Sequence, residues 1–132
     1  MSVNDNQGCP FCQATAGHQL IFETEDVIAI YDRFPVSPGH ALVIPRRHCA
    51  NYFELTQTEQ ENCWKVMNET KKILDVEFSP DGYNVGINVG QVAGQTISHV
   101  HIHLIPRYHG DVPDPEGGVR RIIPGKEKYR NV

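Results

Sequence analysis

Ser98-His99-Val100-His101-Ile102-His103-Leu104-Ile105 is the stretch whose reading decides the fold of this chain. Successive side chains of a β-strand point to opposite faces, so this run places His99, His101 and His103 on one face of a sheet. Val100, Ile102 and Leu104 fall on the other, where a branched apolar row predicts burial. Antiparallel sheets often turn one polar face to water, so solvated histidines are one reading of the imidazole row. Metal binding, proton transfer and attack on phosphorus are the others.

Working outward, Tyr83-Asn84-Val85-Gly86-Ile87-Asn88-Val89 alternates between apolar and polar residues and predicts a second strand. The loop Gly90–Thr96 joins the two runs, which predicts antiparallel neighbours with Asn88 on the histidine face. Gly94, Gln95 and Thr96 then offer backbone N–H groups and a hydroxyl at one end of that face, a weak phosphate signal by itself. Thr56-x-x-Glu59 is a capping box, and Cys63, Val66, Met67, Thr70 and Leu74 follow at helical spacing. One long helix is predicted, ending before the turn Ser79-Pro80-Asp81-Gly82, with Cys63 as a small buried hydrophobe. Gln19–Glu23 and Val27–Asp32 predict a hairpin, and His40–Pro45 a third strand stopped by proline. Between them Arg33–Gly39 is a proline-punctuated loop. Asp32 thus ends a strand beside an exposed Phe34, a pair suited to a ribose and a base, or simply to turn chemistry. His40 and His48 are weak signals alone.

A chain of 132 residues, 39% hydrophobic, predicts one domain over 1–132, with a loose tail over 1–8 and a Gly/Pro-rich extension over 110–132. Ile122-Ile123 in that extension would pack on the body or on a partner. The polar N-terminus has no apolar h-region and no run approaches the ~20 apolar residues of a membrane span, which predicts a cytoplasmic protein with no membrane partner. A net charge of −4, from 12 Lys+Arg and 16 Asp+Glu, argues against gripping long nucleic acid and leaves room for a small anionic ligand. Cys9-x-x-Cys12 follows no strand, so a thioredoxin-like redox site is a poor fit. Half of a zinc site fits better, with two more ligands supplied from elsewhere.

With Asp32, the strand His40–Pro45, His48, Asn88, Gly94-Gln95-Thr96 and His99–Ile105 in this order, the chain resembles the histidine-triad (HIT) family of small nucleotide hydrolases and transferases. The resemblance runs from Cys9 to about Pro106. It implies an α+β fold, an antiparallel sheet of about five strands with one long helix on one face and the triad histidines on the other. It also implies a homodimer.

By this resemblance His101 attacks the α-phosphorus of a purine nucleotide derivative, and water hydrolyses the nucleotidyl-histidine intermediate to release AMP. An imidazole of ordinary pKa near ~6.5 is largely neutral at pH 7 and attacks without a separate base. His103 and His40 would donate to phosphate oxygens or to the leaving group, and Asn88, Gln95 and Thr96 would hold non-bridging oxygens, with Gly94 in the same nucleotide-binding loop. Asp32 would accept from the ribose, with Phe11, Ile30 and Phe34 as walls around the base. Cys9, Cys12, His48 and His99 complete a closed four-ligand set for one structural zinc per chain. Tyr31 stands where one branch of the family carries another histidine, and His18 and His109, outside the motif, are expected at the surface. Two alternatives remain: a catalytic zinc on His99, His101 and His103, and a non-catalytic module that binds a nucleotide or a partner.

Overall fold

A computed structural model describes residues 8–129 of the chain. Apart from Gly8, the tail expected over 1–8 lies outside the described residues, as do residues 130–132 of the basic C-terminus. Five strands form one antiparallel sheet: β1 (Leu20–Glu23), β2 (Val27–Tyr31), β3 (Ala41–Pro45), β4 (Gly82–Ile87) and β5 (Ile102–Arg107). Their order across the sheet is β1-β2-β3-β5-β4. A single helical turn, α1 (Ala14–Gly17), precedes β1, and the long helix α2 (Gln57–Phe78) joins β3 to β4.

Helix α2 starts where its sequence directs. The Thr56 hydroxyl accepts from the Glu59 N–H at 3.1 Å, and the Glu59 carboxylate accepts from the Thr56 N–H at 2.9 Å. Its buried stripe of Cys63, Val66, Met67 and Leu74 packs on Val27, Ala29, Ala41, Val43, Ile102 and Leu104 of the sheet. Thr70 is buried in the same stripe, its hydroxyl satisfied by the Val66 carbonyl at 2.7 Å.

The opposite sheet face carries a second apolar layer. Ile28, Ile30, Leu42 and Ile44 are buried there beneath Phe11 and Ala14 of the N-terminal segment. Burial on both sides explains why β2 and β3 read as unbroken apolar runs rather than alternating ones.

Strand β5 is shorter than the stretch Ser98–Ile105 suggests. Leu42 pairs with His103 and Val43 with Ile102, and there the ladder with β3 ends. Beyond it the Pro45 carbonyl accepts from the His99 ring at 2.7 Å, and the Val100 N–H turns to the Cys49 carbonyl at 2.8 Å. Alternation persists through this segment: Val100, Ile102 and Leu104 are buried, while His101 and His103 are half-buried. In the extension, Ile122 and Ile123 do not pack on the body, being 81% and 56% exposed. Charge and hydrogen bonding hold that segment instead, with Lys128 bridging Asp114 and Glu116 and Arg120 lying 4.4 Å from the Tyr129 ring centroid.

Candidate functional site

The face of the sheet opposite α2 opens beside the second apolar layer into a cavity of about 430 Å³. His101 and His103 form part of its floor, brought into one row by the alternation that runs from the segment before β5 into the strand, with ring centroids 5.2 Å apart. Gly86 is the register partner of His103 on β4, and a side chain there would point into open space, so nothing crowds the imidazole from that side. His40 enters from the start of β3. Gly39, at φ +87° and against the Phe78 ring, makes the tight approach that delivers it.

The His101 ring is oriented by the backbone just ahead of β5. Its Nδ1 lies 2.8 Å from the His99 carbonyl oxygen, which can only accept, so the proton sits on Nδ1 and the lone pair on Nε2. His40 Nε2 lies 2.9 Å from His103 Nδ1 and 3.5 Å from Asp32 Oδ2. Burial pushes the His103 imidazole down to about 4, helped by His101 and His40 and opposed by Asp32. Burial also lowers His40, and it outweighs the pull of the Asp32 carboxylate. Both rings are therefore neutral at pH 7.

Phe11, Asp32, Phe34, His40, Asn88, Gly94, Thr96, His101 and His103, all singled out in the sequence, line this one cavity. Asp32 makes the turn contact expected of it, its Oδ1 accepting from the Phe34 N–H at 2.8 Å, while Oδ2 lies 3.5 Å from His40 Nε2 at the cavity. Phe34 stands at the mouth, 85% exposed. Two expected residues are not in the lining. Ile30 is wholly buried beneath Phe11 in the second apolar layer and forms no wall of the cavity. The Gln95 side chain is turned away from the cavity: its oxygen accepts from the Gly90 N–H at 2.9 Å, and its nitrogen donates to the Ala50 and Ile97 carbonyls at 2.8 and 3.0 Å. Gln95 is a strut inside its own loop.

Sequence reasoning also missed lining residues. His18, expected at the surface, lies 6.1 Å ring to ring from Phe11 and lines the cavity with Arg33, Val36, Leu42 and Ile97. The Arg33 guanidinium donates to the Gly17 carbonyl, tying the end of α1 to the mouth.

His99 turns away from this cavity. Its Nε2 donates to the Pro45 carbonyl at 2.7 Å, which leaves Nδ1 free as a ligand. That Nδ1 is 3.5 Å from each of the Cys9 and Cys12 sulfurs, and His48 Nδ1 is 3.1 Å from Cys12. All four ligand atoms lie within 4.8 Å of one another. A tetrahedral zinc with Zn–S near ~2.3 Å and Zn–N near ~2.0 Å sets sulfur and nitrogen about 3.5 Å apart, so these residues fit the ion. Burial, reinforced by Cys9, pushes the Cys12 thiol up to about 11, a cost that a coordinated cation reverses. Among the described residues His99, His101 and His103 do not converge on one point, because His99 is committed to the cysteines. The reading of a three-histidine catalytic metal is set aside on that geometry.

The sequence profile of the HIT domain matches residues 13–110. An uncharacterized HIT-like protein of Methanocaldococcus jannaschii is 40% identical over 106 residues, spanning 78% of this chain and 81% of that protein. The adenosine 5'-monophosphoramidase of Schizosaccharomyces pombe is 38% identical over 102 residues, spanning 75% of this chain and 74% of that protein. A zinc-bound histidine triad family protein of Mycobacterium smegmatis superimposes with a TM-score of 0.73 at 30% identity, covering 83% of this chain and 86% of the other.

Proposed function

The chain belongs to the HIT family, and from that premise we propose that it is a nucleotidyl hydrolase or transferase acting through His101. The observation that carries the reading is the single hydrogen bond that orients the central imidazole. The His99 carbonyl holds the Nδ1 proton, so the Nε2 lone pair is the group presented to a ligand. In the proposed reaction Nε2 bonds to the α-phosphorus of a purine nucleotide derivative, and the bond from phosphorus to the leaving group breaks with its electron pair. Water then attacks the nucleotidyl-histidine, releases AMP and returns His101 to its starting form. Asn88 and Thr96, both exposed at the cavity, would hold non-bridging oxygens as charge develops. His103 donates to the phosphate, while His40 stands one ring behind it. Asp32 accepts from the ribose, and Phe11 and Phe34 enclose the base.

The same reading gives Cys9, Cys12, His48 and His99 one structural zinc, whose chemistry is to cross-link the N-terminal segment to the loops after β3 and before β5. Four protein ligands leave no position for water on the ion. The reading also includes a homodimer, supported by the position of β4 at one edge of the sheet, where only β5 pairs with it among the described residues.

The experiment is AMP release from an adenosine phosphoramidate and from a dinucleoside polyphosphate, side by side, with His101→Ala as control. Release that disappears in the variant is expected, and the faster substrate identifies the leaving-group class. Release from neither substrate would leave a nucleotide-binding module without this chemistry.

A further inference from the structure

Among the described residues, Nε2 of His101 and Nε2 of His103, both in the cavity lining, have no protein partner. Among the described residues no polar side-chain atom is buried without a partner, so both are open to the cavity. What they offer a substrate depends on which of them carries a proton. For His101 the His99 carbonyl decides. For His103 the decision comes from the loop at the cavity mouth.

We propose that the backbone N–H of Val36 sets the proton pattern of this face, fixing His40 and through it His103 as Nε2–H tautomers. The Val36 N–H donates to His40 Nδ1 at 3.1 Å. A backbone amide can only donate, so Nδ1 is an acceptor and the single proton of the neutral ring sits on Nε2. That Nε2 lies 2.9 Å from His103 Nδ1, closer than the 3.5 Å to Asp32 Oδ2. His103 Nδ1 must then accept, which places the His103 proton on its own Nε2, facing the cavity. One backbone carbonyl and one backbone amide thus give neighbouring imidazoles opposite tautomers: a lone pair on His101 and a donor on His103. The arrangement suits a phosphate, which needs a nucleophile on phosphorus and a donor on oxygen side by side.

The loop is built to aim that amide. The Ser37 hydroxyl donates to the Pro106 carbonyl at 2.6 Å, the Tyr108 hydroxyl to the Pro38 carbonyl at 2.7 Å, and the His40 N–H to the Ser37 carbonyl at 3.1 Å. The Val36 side chain is 71% exposed, so little of the residue's value lies in packing. Val36 is a positioning residue that acts through His40. The same bond accounts for a second feature. Asp32, His40 and His103 bring three ligand atoms within 4.8 Å of one another. A metal there would need the His40 Nε2 lone pair, forcing the ring proton onto Nδ1 against the Val36 N–H.

Only the catalytic consequence rests on the proposed nucleotidyl transfer; the tautomers do not. Long-range ¹H–¹⁵N spectra of the labelled, zinc-loaded full chain at neutral pH read both rings directly. The expected result is Nε2–H for His40 and His103, with a scalar coupling between Val36 N and His40 Nδ1 across the hydrogen bond. Either ring in the Nδ1–H form overturns the proposal whatever the activity. The second arm compares Val36→Pro, which removes the N–H, with Val36→Ala, which keeps it. Relative to Val36→Ala, Val36→Pro is expected to lose about tenfold to a hundredfold in kcat with KM within about threefold, and to populate Nδ1–H in His103. Equal kcat and unchanged tautomers in the two variants would overturn it. Should Val36→Pro fail to fold, the wild-type spectra decide alone. Correct tautomers in a protein that releases no AMP would remove the nucleotidyl-transfer reading and leave this one standing.

Discussion

Replacing Phe11 by alanine tests the second apolar layer and the cavity wall together. Phe11 is 6% exposed and covers Ile28, Ile30, Leu42 and Ile44, with its ring 4.9 Å from that of His101. A buried phenylalanine removes roughly 150–200 Å² from water, worth about 4 kcal/mol at ~25 cal/mol per Å² before the alanine remainder is subtracted. Buried Phe→Ala changes cost ~3–5 kcal/mol, and this one belongs at the lower edge, because one side of the ring borders the open cavity and water can fill part of the void. The expected loss is therefore about 3 kcal/mol, read as a lowered urea midpoint at constant slope in the zinc-loaded protein. AMP binding should weaken in the same variant, and Phe11→Leu should recover more than half of the stability. A loss below about 1 kcal/mol with an unchanged slope would refute the reasoning, since the apolar residues of β2 and β3 would then need a different cover.

Three further perturbations follow from the site. The folded-state pKa of His103 lies near 4, below the ordinary 6.5, so the unfolded chain takes up the proton first. Its contribution to stability is present above about pH 6.5 and is lost as pH falls towards 4; urea midpoints across this range should drop less steeply in His103→Gln than in the wild type. Gln95→Ala removes the hydrogen bonds to Gly90, Ala50 and Ile97. It should lower kcat/KM by about tenfold with little change in Tm, and faster amide exchange at Gly90 would mark the loosened loop. Cys12→Ser should reduce zinc from one equivalent per chain to a fraction, measured by elemental analysis, and lower Tm. Unchanged zinc content would count against the four-ligand site.

The parts of this molecule that depend on local rules were legible in the sequence. The capping box at Thr56 and Glu59 and the stripe from Cys63 to Leu74 placed α2, because caps and helical periodicity act within a few residues. Alternation from Tyr83 to Val89 and from Val100 to Leu104 placed β4 and β5 as antiparallel neighbours for the same reason. What escaped depends on contacts between distant segments. Nothing near Phe11 announces that it closes a sheet face over Ile30, so by sequence Ile30 reads as a cavity wall rather than as part of the layer beneath it. Gln95 sits beside residues that do line the cavity, and its orientation is decided by the Ala50 carbonyl, 45 positions away. His18 reads as a surface residue in the sequence because the turn Ala14–Gly17 that carries it to the cavity is too short to leave a periodic signal. The Val36 amide left no side-chain signal at all; the only hint was the pair of prolines, Pro35 and Pro38, that stiffen its loop.

The central claim is covalent chemistry at His101, and the stereochemical course at phosphorus tests it most directly. A substrate made chiral at the α-phosphorus with sulfur and oxygen isotopes is hydrolysed in labelled water, and the configuration of the released nucleotide is determined. Two successive in-line displacements, one by His101 Nε2 and one by water, predict net retention. Net inversion would mean that water attacks the substrate directly, and would contradict the account.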